Sequence, residues 1–172
     1  DEETLKKFEM ESLDRPVAIC PRALSPNHRA HYHAPITLAT VSKLRWNIAS
    51  VADHVAEAGH EVVFVPMHRA PGDDDTVEIA EIRGRMKKAS TVVGNVESPE
   101  AVAKLLGRMN VVFGMRLHSL ILAAIGGVPI VGIDYDPKIR GFMEYAGATD
   151  YLCETEDHVH TMTKRIEKAL DD

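Results

Sequence analysis

The sequence predicts an α/β fold, a doubly wound parallel sheet with helices on both faces. Three observations carry this. Short unbroken apolar runs recur along the chain, as strands covered on both faces require. Segments of 3.6-residue apolar period lie between them. Ser, Asp, Pro and Gly stand at the junctions, where helix caps belong. Strands alternating with helices in this way imply a parallel sheet.

The elements follow in order. Residues 16–20 read as a buried strand, Pro-Val-Ala-Ile-Cys. Residues 41–58 form a helix that turns Leu44, Ile48, Val51, Ala52 and Val55 inward, with Gly59 as its C-terminal cap. Residues 61–66, with Val62, Val63, Phe64 and Val65, are a strand. Asp73, Asp74 and Asp75 open a helix to about Lys88, and residues 91–94 are a short strand. Ser98, Pro99 and Glu100 give a strong helix start, and that helix ends at Gly107. Val111–Gly114 is a strand and Leu117–Ile125 a helix stopped by Gly126 and Gly127. That helix is apolar nearly all round, which predicts full burial. Residues 129–133 are a strand, Pro137–Tyr145 a helix, and residues 157–170 a last helix with Val159, Met162, Ile166 and Leu170 inward.

The chain has 172 residues, the length of one domain, 1–172. Hydrophobic residues at 45% and charged residues at 27% exclude long disorder, collagen and coiled coil. The net charge of −6, from 20 basic and 26 acidic residues, argues against nucleic acid as a partner. The apolar runs fall far short of the ~20 residues of a membrane helix, and no signal peptide is visible. Cys20 and Cys153 make no disulfide framework and read as packed hydrophobes, which sets the expectation of a reducing, cytoplasmic location. The first residue is Asp1, so processing, an unseen start, or a domain cut from a longer protein are all open.

Ligands on doubly wound sheets bind outside the carboxyl ends of the strands. The informative loops are therefore residues 21–35, 67–72, 94–97, 114–118 and 134–138. In the fourth of these, Gly114-Met115-Arg116-Leu117-His118-Ser119 puts Arg116, His118 and Ser119 at a helix start. Free backbone N–H groups and the positive end of the dipole meet there, and anions bind readily. A cation at that end needs a reason. An anionic ligand is one. The other is a salt bridge from Arg116 to Asp134 or Asp136, with His118 as a core histidine. In the next loop, Asp136 is a good cap and Pro137 a good first residue. Lys138 then lies in the first turn, against the dipole, and its other reading is a solvated lysine. Arg116, His118 and Lys138 come from consecutive loops and so converge on one anion in the functional reading.

These residues carry a resemblance. Gly114-Met115-Arg116-Leu117-His118-Ser119-Leu120-Ile121, then Gly127-Val128-Pro129, then Gly132-Ile133-Asp134-Tyr135-Asp136-Pro137-Lys138 and Phe142 resemble the signature of the polysaccharide pyruvyl transferases. The likeness is greatest to bacterial enzymes that pyruvylate cell-wall polysaccharide for attachment of surface-layer proteins. It covers about residues 111–147, and a weaker pattern runs from Val62 through Ser98, Pro99 and Glu100. It implies a Rossmann-like domain, one half of a two-domain fold of the glycosyltransferase B type, here the C-terminal half with an N-terminal domain missing. It also implies transfer of a ketal pyruvate from phosphoenolpyruvate to a sugar or lipid-linked glycan acceptor, with no cofactor and no metal. Any contact with a membrane would be peripheral, through the acceptor. Arg116, His118, Lys138 and Ser119 become donor-site residues. His118 is then the general acid or a phosphate ligand. In that family an arginine often follows the first strand, with an aromatic two positions on. Arg22 stands in such a place, with Leu24 for the aromatic, and a surface arginine is its other reading.

Other signals point less far. His28, His31 and His33 crowd one loop, which reads as a substrate-facing segment rather than a metal site, since firm sites take three or four ligands. The run Asp73-Asp74-Asp75 reads as a helix start before a divalent-ion site. Trp46 reads as core or a domain contact, and His158 and His160 as the first turn of a solvated helix. Two rival functions stay open. One is a glycosyltransferase or sugar-nucleotide epimerase binding a nucleotide sugar at the same helix start. The other is a non-catalytic binding half that needs a partner domain. The Tyr135-Asp136-Pro137-Lys138 run favours the pyruvyl transferase over the nucleotide-sugar enzyme, since a nucleotide site more typically shows a Gly/Ser-rich loop and an acid for the ribose; Asp1 as first residue and the missing partner half keep the binding half open.

Overall fold

A computed structural model describes residues 16–24, 36–94 and 98–172. Its strands are β1 (Val17–Cys20), β2 (Val62–Phe64), β3 (Arg69–Ala70), β4 (Asp73–Asp74), β5 (Thr91–Val92), β6 (Val111–Gly114), β7 (Ile130–Asp134) and β8 (Leu152–Glu154). Its helices are α1 (Leu38–Glu57), α2 (Asp75–Arg83), α3 (Pro99–Leu106), α4 (Leu117–Ile125), α5 (Pro137–Tyr145) and α6 (Val159–Asp171). Six strands form one sheet in the order β5-β2-β1-β6-β7-β8, and every pairing in it is parallel. The fold is an α/β, Rossmann-like, doubly wound sheet. Helices α2, α1 and α6 pack side by side, and α3, α4 and α5 form a second such row.

The apolar runs explain the sheet. Val17, Ala18 and Cys20 of β1 are wholly buried, as are Val63 and Phe64 of β2 and Val111 and Val112 of β6. Such strands have no solvent face, so helices must cover both sides. The chain winds outward from β1 in two directions, β2 and β5 on one side and β6, β7 and β8 on the other. The gap between the carboxyl ends of β1 and β6 is the switch point where such sheets take their ligands. The amide of Met115 donates to the Cys20 carbonyl there at 3.0 Å, fixing the loop after β6 against the loop after β1.

Several elements sit where the sequence puts them. Val111–Gly114, Leu117–Ile125 and Pro137–Tyr145 agree to the residue. Others differ in extent or presence, and three of the differences have a clear local reason. Helix α1 starts three residues early because the Thr37 hydroxyl accepts from the Thr40 amide at 3.0 Å and caps it. Helix α2 begins at Asp75, not Asp73, because Asp73 and Asp74 form a strand. They pair with Arg69 and Ala70 across a turn at Pro71 and Gly72. Gly72 takes φ +84° there, a conformation glycine reaches without strain. Strand β8 was not foreseen: its three residues are too few to show a period. It joins the sheet edge through Leu152 beside Gly132.

Helix α4 departs most from expectation. Only Ser119, Leu120 and Ala123 are buried, while Leu117 and Leu122 are half-covered and Ile125 is 78% exposed. The full burial that its composition predicts is not present among the described residues. Trp46 is likewise not core: it is half-exposed, with the Arg85 guanidinium 6.0 Å from its ring centroid. Cys20 and Cys153 are buried free thiols. No described helix is long and apolar enough to cross a membrane.

Candidate active site

Arg116 and His118 share one cavity at the carboxyl edge of the sheet. Its volume is about 460 Å³, and Met67, His68, Ser98, Pro99, Val102, Arg116, His118 and Leu122 line it. Three strand-to-helix connections contribute: the loops after β2, β5 and β6. Met67, Pro99, Val102 and Leu122 give it apolar surface, and His68, His118 and Arg116 give it polar groups. Small amphiphilic anions fit a lining of this kind, where a few polar groups orient a ligand against apolar surface. His118 is exposed, so it is not a core histidine.

Arg116 is held firmly. Its Nε donates to both oxygens of Asp75 at 3.1 Å, and its Nη2 to Asp73 Oδ1 at 2.7 Å. Nη1 reaches Asp73 Oδ2 at 3.3 Å. These partners stand in place of Asp134 and Asp136, the two acids that the salt-bridge reading assigns to Arg116. Asp75 is fully buried and also accepts from the amides of Met67 and His68, at 3.0 and 2.9 Å. Burial pushes the Asp75 carboxyl up, against the pull of Arg116 and the two amides. Burial also disfavours the Arg116 cation, but its hydrogen bonds to Asp75 and Asp73 outweigh that and hold it above the ordinary arginine range. Asp73 is lowered, first by the Arg116 hydrogen bond. The acidic run thus supplies two partners for an arginine and one helix cap, since Asp74 accepts from the Thr76 amide at 2.8 Å.

Arg22 is not a surface arginine. Its side chain is only 17% exposed. Nη1 donates to the Tyr135 hydroxyl at 3.0 Å, Nη2 approaches Asp73 at 3.5 Å, and the guanidinium lies 5.6 Å from the Tyr135 ring centroid. Arg22 and Arg116 therefore meet at the switch point through one shared carboxylate.

Ser119 and Lys138 stand elsewhere. Ser119 is fully buried, and its hydroxyl donates to the Arg116 carbonyl at 2.6 Å. It holds the first turn of α4 rather than lining the cavity. It also hydrogen-bonds the Cys20 thiol, which burial pushes up to about 12; that thiol is inert at neutral pH. Lys138 is exposed, lies 3.5 Å from Asp136, and is not among the cavity's lining residues. His28, His31 and His33 lie outside the described residues. The residues the sequence reading missed are His68, Asp73 and Asp75 as site components. The signal for His68 was its place in a named loop directly after an apolar strand.

The chain matches the family described as polysaccharide pyruvyl transferase over residues 12–137. No curated protein matches the chain significantly. Among solved structures, it is similar to a glycosyl transferase family 9 protein from Veillonella parvula DSM 2008 (TM-score 0.64, 15% identity). It is also similar to the ADP-heptose lps heptosyltransferase II of E. coli (TM-score 0.66, 12% identity). In each case 98% of this chain is covered but 50% of the other, so the chain spans about half the length of these structures. At such identities the likeness is one of fold, that of one half of a glycosyltransferase of the B type. Arg116 and His118 fall inside the matched residues, on the loop between β6 and α4, and the chain belongs to the polysaccharide pyruvyl transferase family.

Proposed function

We propose that this chain is the donor-binding half of an enzyme that transfers pyruvate, as a ketal, from phosphoenolpyruvate to a sugar of a cell-surface polysaccharide. The family match carries the reaction class. One observation carries the site: Arg116 and His118 line a single cavity at the carboxyl edge of the sheet.

The chemistry suits these groups. Phosphoenolpyruvate brings a carboxylate and a phosphate, and both call for cationic or fixed donors. A proton delivered to its methylene carbon makes a methyl group and leaves an oxocarbenium-like centre at the neighbouring carbon. One sugar hydroxyl adds there, phosphate departs, and a second hydroxyl closes the ketal. Of the two hydroxyl protons, one restores the acid and one leaves with phosphate. His118, exposed at the cavity, is the side chain for that proton transfer or for holding the phosphate. Arg116 shapes the site: its Nε/Nη2 edge is bound to Asp75 and its Nη1/Nη2 edge to Asp73, which leaves one Nη1 hydrogen for the anion. Lys138 would serve only an anion that reaches the next loop.

The test is titration of the chain with phosphoenolpyruvate, followed by backbone amide shifts. Shifts centred on residues 114–118 and on His68 support the reading. Shifts absent there, with a nucleotide sugar perturbing the same amides, favour a nucleotide-sugar enzyme instead.

A further inference from the structure

Asp73 stands among three cationic or potentially cationic groups. Its Oδ1 accepts from Arg116 Nη2 at 2.7 Å, and its Oδ2 lies 3.3 Å from Arg116 Nη1. The same Oδ2 is 3.5 Å from Arg22 Nη2 and 3.8 Å from His68 Nε2. This is how an arginine-rich site would hold a ligand's carboxylate. The two acids differ in how they are held. Asp75 is buried and tied to two backbone amides. Asp73 is a third exposed, sits on a two-residue strand beside the Gly72 turn, and its carboxylate is held by the side chains of Arg116, Arg22 and His68. Arg22 Nε is buried without a hydrogen-bond partner among the described residues, so the site holds a donor that Asp73 does not use. Two of the three groups that hold Asp73, Arg116 and His68, also line the cavity.

We propose that Asp73 is a built-in competitor: its carboxylate fills the anion position between Arg22, Arg116 and His68, and the carboxylate end of an incoming substrate displaces it. Asp75 keeps Arg116 in place while Asp73 swings out on the hairpin. The substrate class is a small carboxylate-bearing phosphate ester. In naming that class the inference rests on the donor reading above, but the competition itself holds for any anion at this position. The device would make binding selective, because only an anion able to engage both arginines repays the loss of Asp73. It also keeps two arginines paired in the free protein, where unpaired buried charge is costly.

The experiment compares the 172-residue chain with Asp73→Asn and Asp73→Ser, titrated calorimetrically with phosphoenolpyruvate, pyruvate and inorganic phosphate, with melting curves alongside. Removing a like charge from a binding position favours the anion. Both variants should fold and bind phosphoenolpyruvate about tenfold tighter, with pyruvate gaining more than phosphate. Phosphoenolpyruvate bound equally or more weakly by both variants overturns the inference and leaves the donor reading standing. Pyruvate gaining affinity while phosphoenolpyruvate binds nothing supports Asp73 as competitor and removes the donor reading. No anion bound to any variant overturns both. Unfolding of both variants also overturns it, because a displaceable carboxylate is not one the fold depends on.

Discussion

At the scale of single residues, the proposed site separates groups that would act from groups that hold. His118 is exposed and lines the cavity, so replacing it should cost the fold little; surface changes usually stay within about 0.5 kcal/mol. His118→Gln should therefore melt close to the parent. In the full enzyme its transfer rate should fall ~10²–10⁴-fold, the usual loss with a proton-transfer group. A variant that melts much earlier yet turns over normally when folded would make His118 structural. Arg116 behaves differently. Lysine cannot reproduce the planar fork that engages Asp75 and Asp73 together, and it leaves buried Asp75 poorly paired. Arg116→Lys should lose roughly 1–3 kcal/mol of stability as well as donor affinity, seen by chemical denaturation and titration. Arg116 and His118 were legible in the sequence because their spacing at a strand-to-helix junction needs only local reasoning. Asp73 and Asp75 as partners of Arg116 were not. The pairs span 43 and 41 positions, and no local pattern marks which acid an arginine will meet.

At the scale of elements, the junction between β6 and α4 is the tightest part of the site. A Cβ on Gly114 would stand 2.7 Å from Ser119 Oγ and 3.0 Å from Leu120 Cδ2. Both neighbours are fully buried, and the Ser119 hydroxyl is committed to the Arg116 carbonyl. Gly114→Ala should thus push α4 away from the sheet end, destabilise by about 1–3 kcal/mol as overpacking does, and shift the amides of Arg116 and His118. Ser98→Ala tests the neighbouring helix: its hydroxyl accepts from the Ala101 amide at 3.2 Å, and loss of such a cap costs about 1 kcal/mol. Unchanged melting for Gly114→Ala would mean that the helix start can give. Strand and helix identities here followed from runs, periods and caps. The β3–β4 hairpin did not, although Pro71 and Gly72 are a turn signal. Its strands have two residues each, and the three aspartates that follow the turn read equally well as a helix start.

At the scale of the whole molecule, the fold presents its site residues along one edge. Arg22, His68, Arg116 and His118 all follow the carboxyl ends of parallel strands, and helix α4 beside them leaves Ile125 and parts of Leu117 and Leu122 uncovered. A helix this apolar is normally covered. The chain also spans about half of the solved structures it matches. A ketal transfer must shield an oxocarbenium-like centre from water while two sugar hydroxyls reach it, which one open edge does poorly. The 172-residue chain should therefore unfold in one cooperative transition and bind phosphoenolpyruvate, yet transfer little or no pyruvate. The check is transfer rate per folded molecule for this chain beside any longer form. Equal rates would show that this edge alone builds the whole active site. A weak donor titration with a strong rate in the longer form would instead place part of the donor site in the other half, and His118 would then need a partner that this chain does not carry.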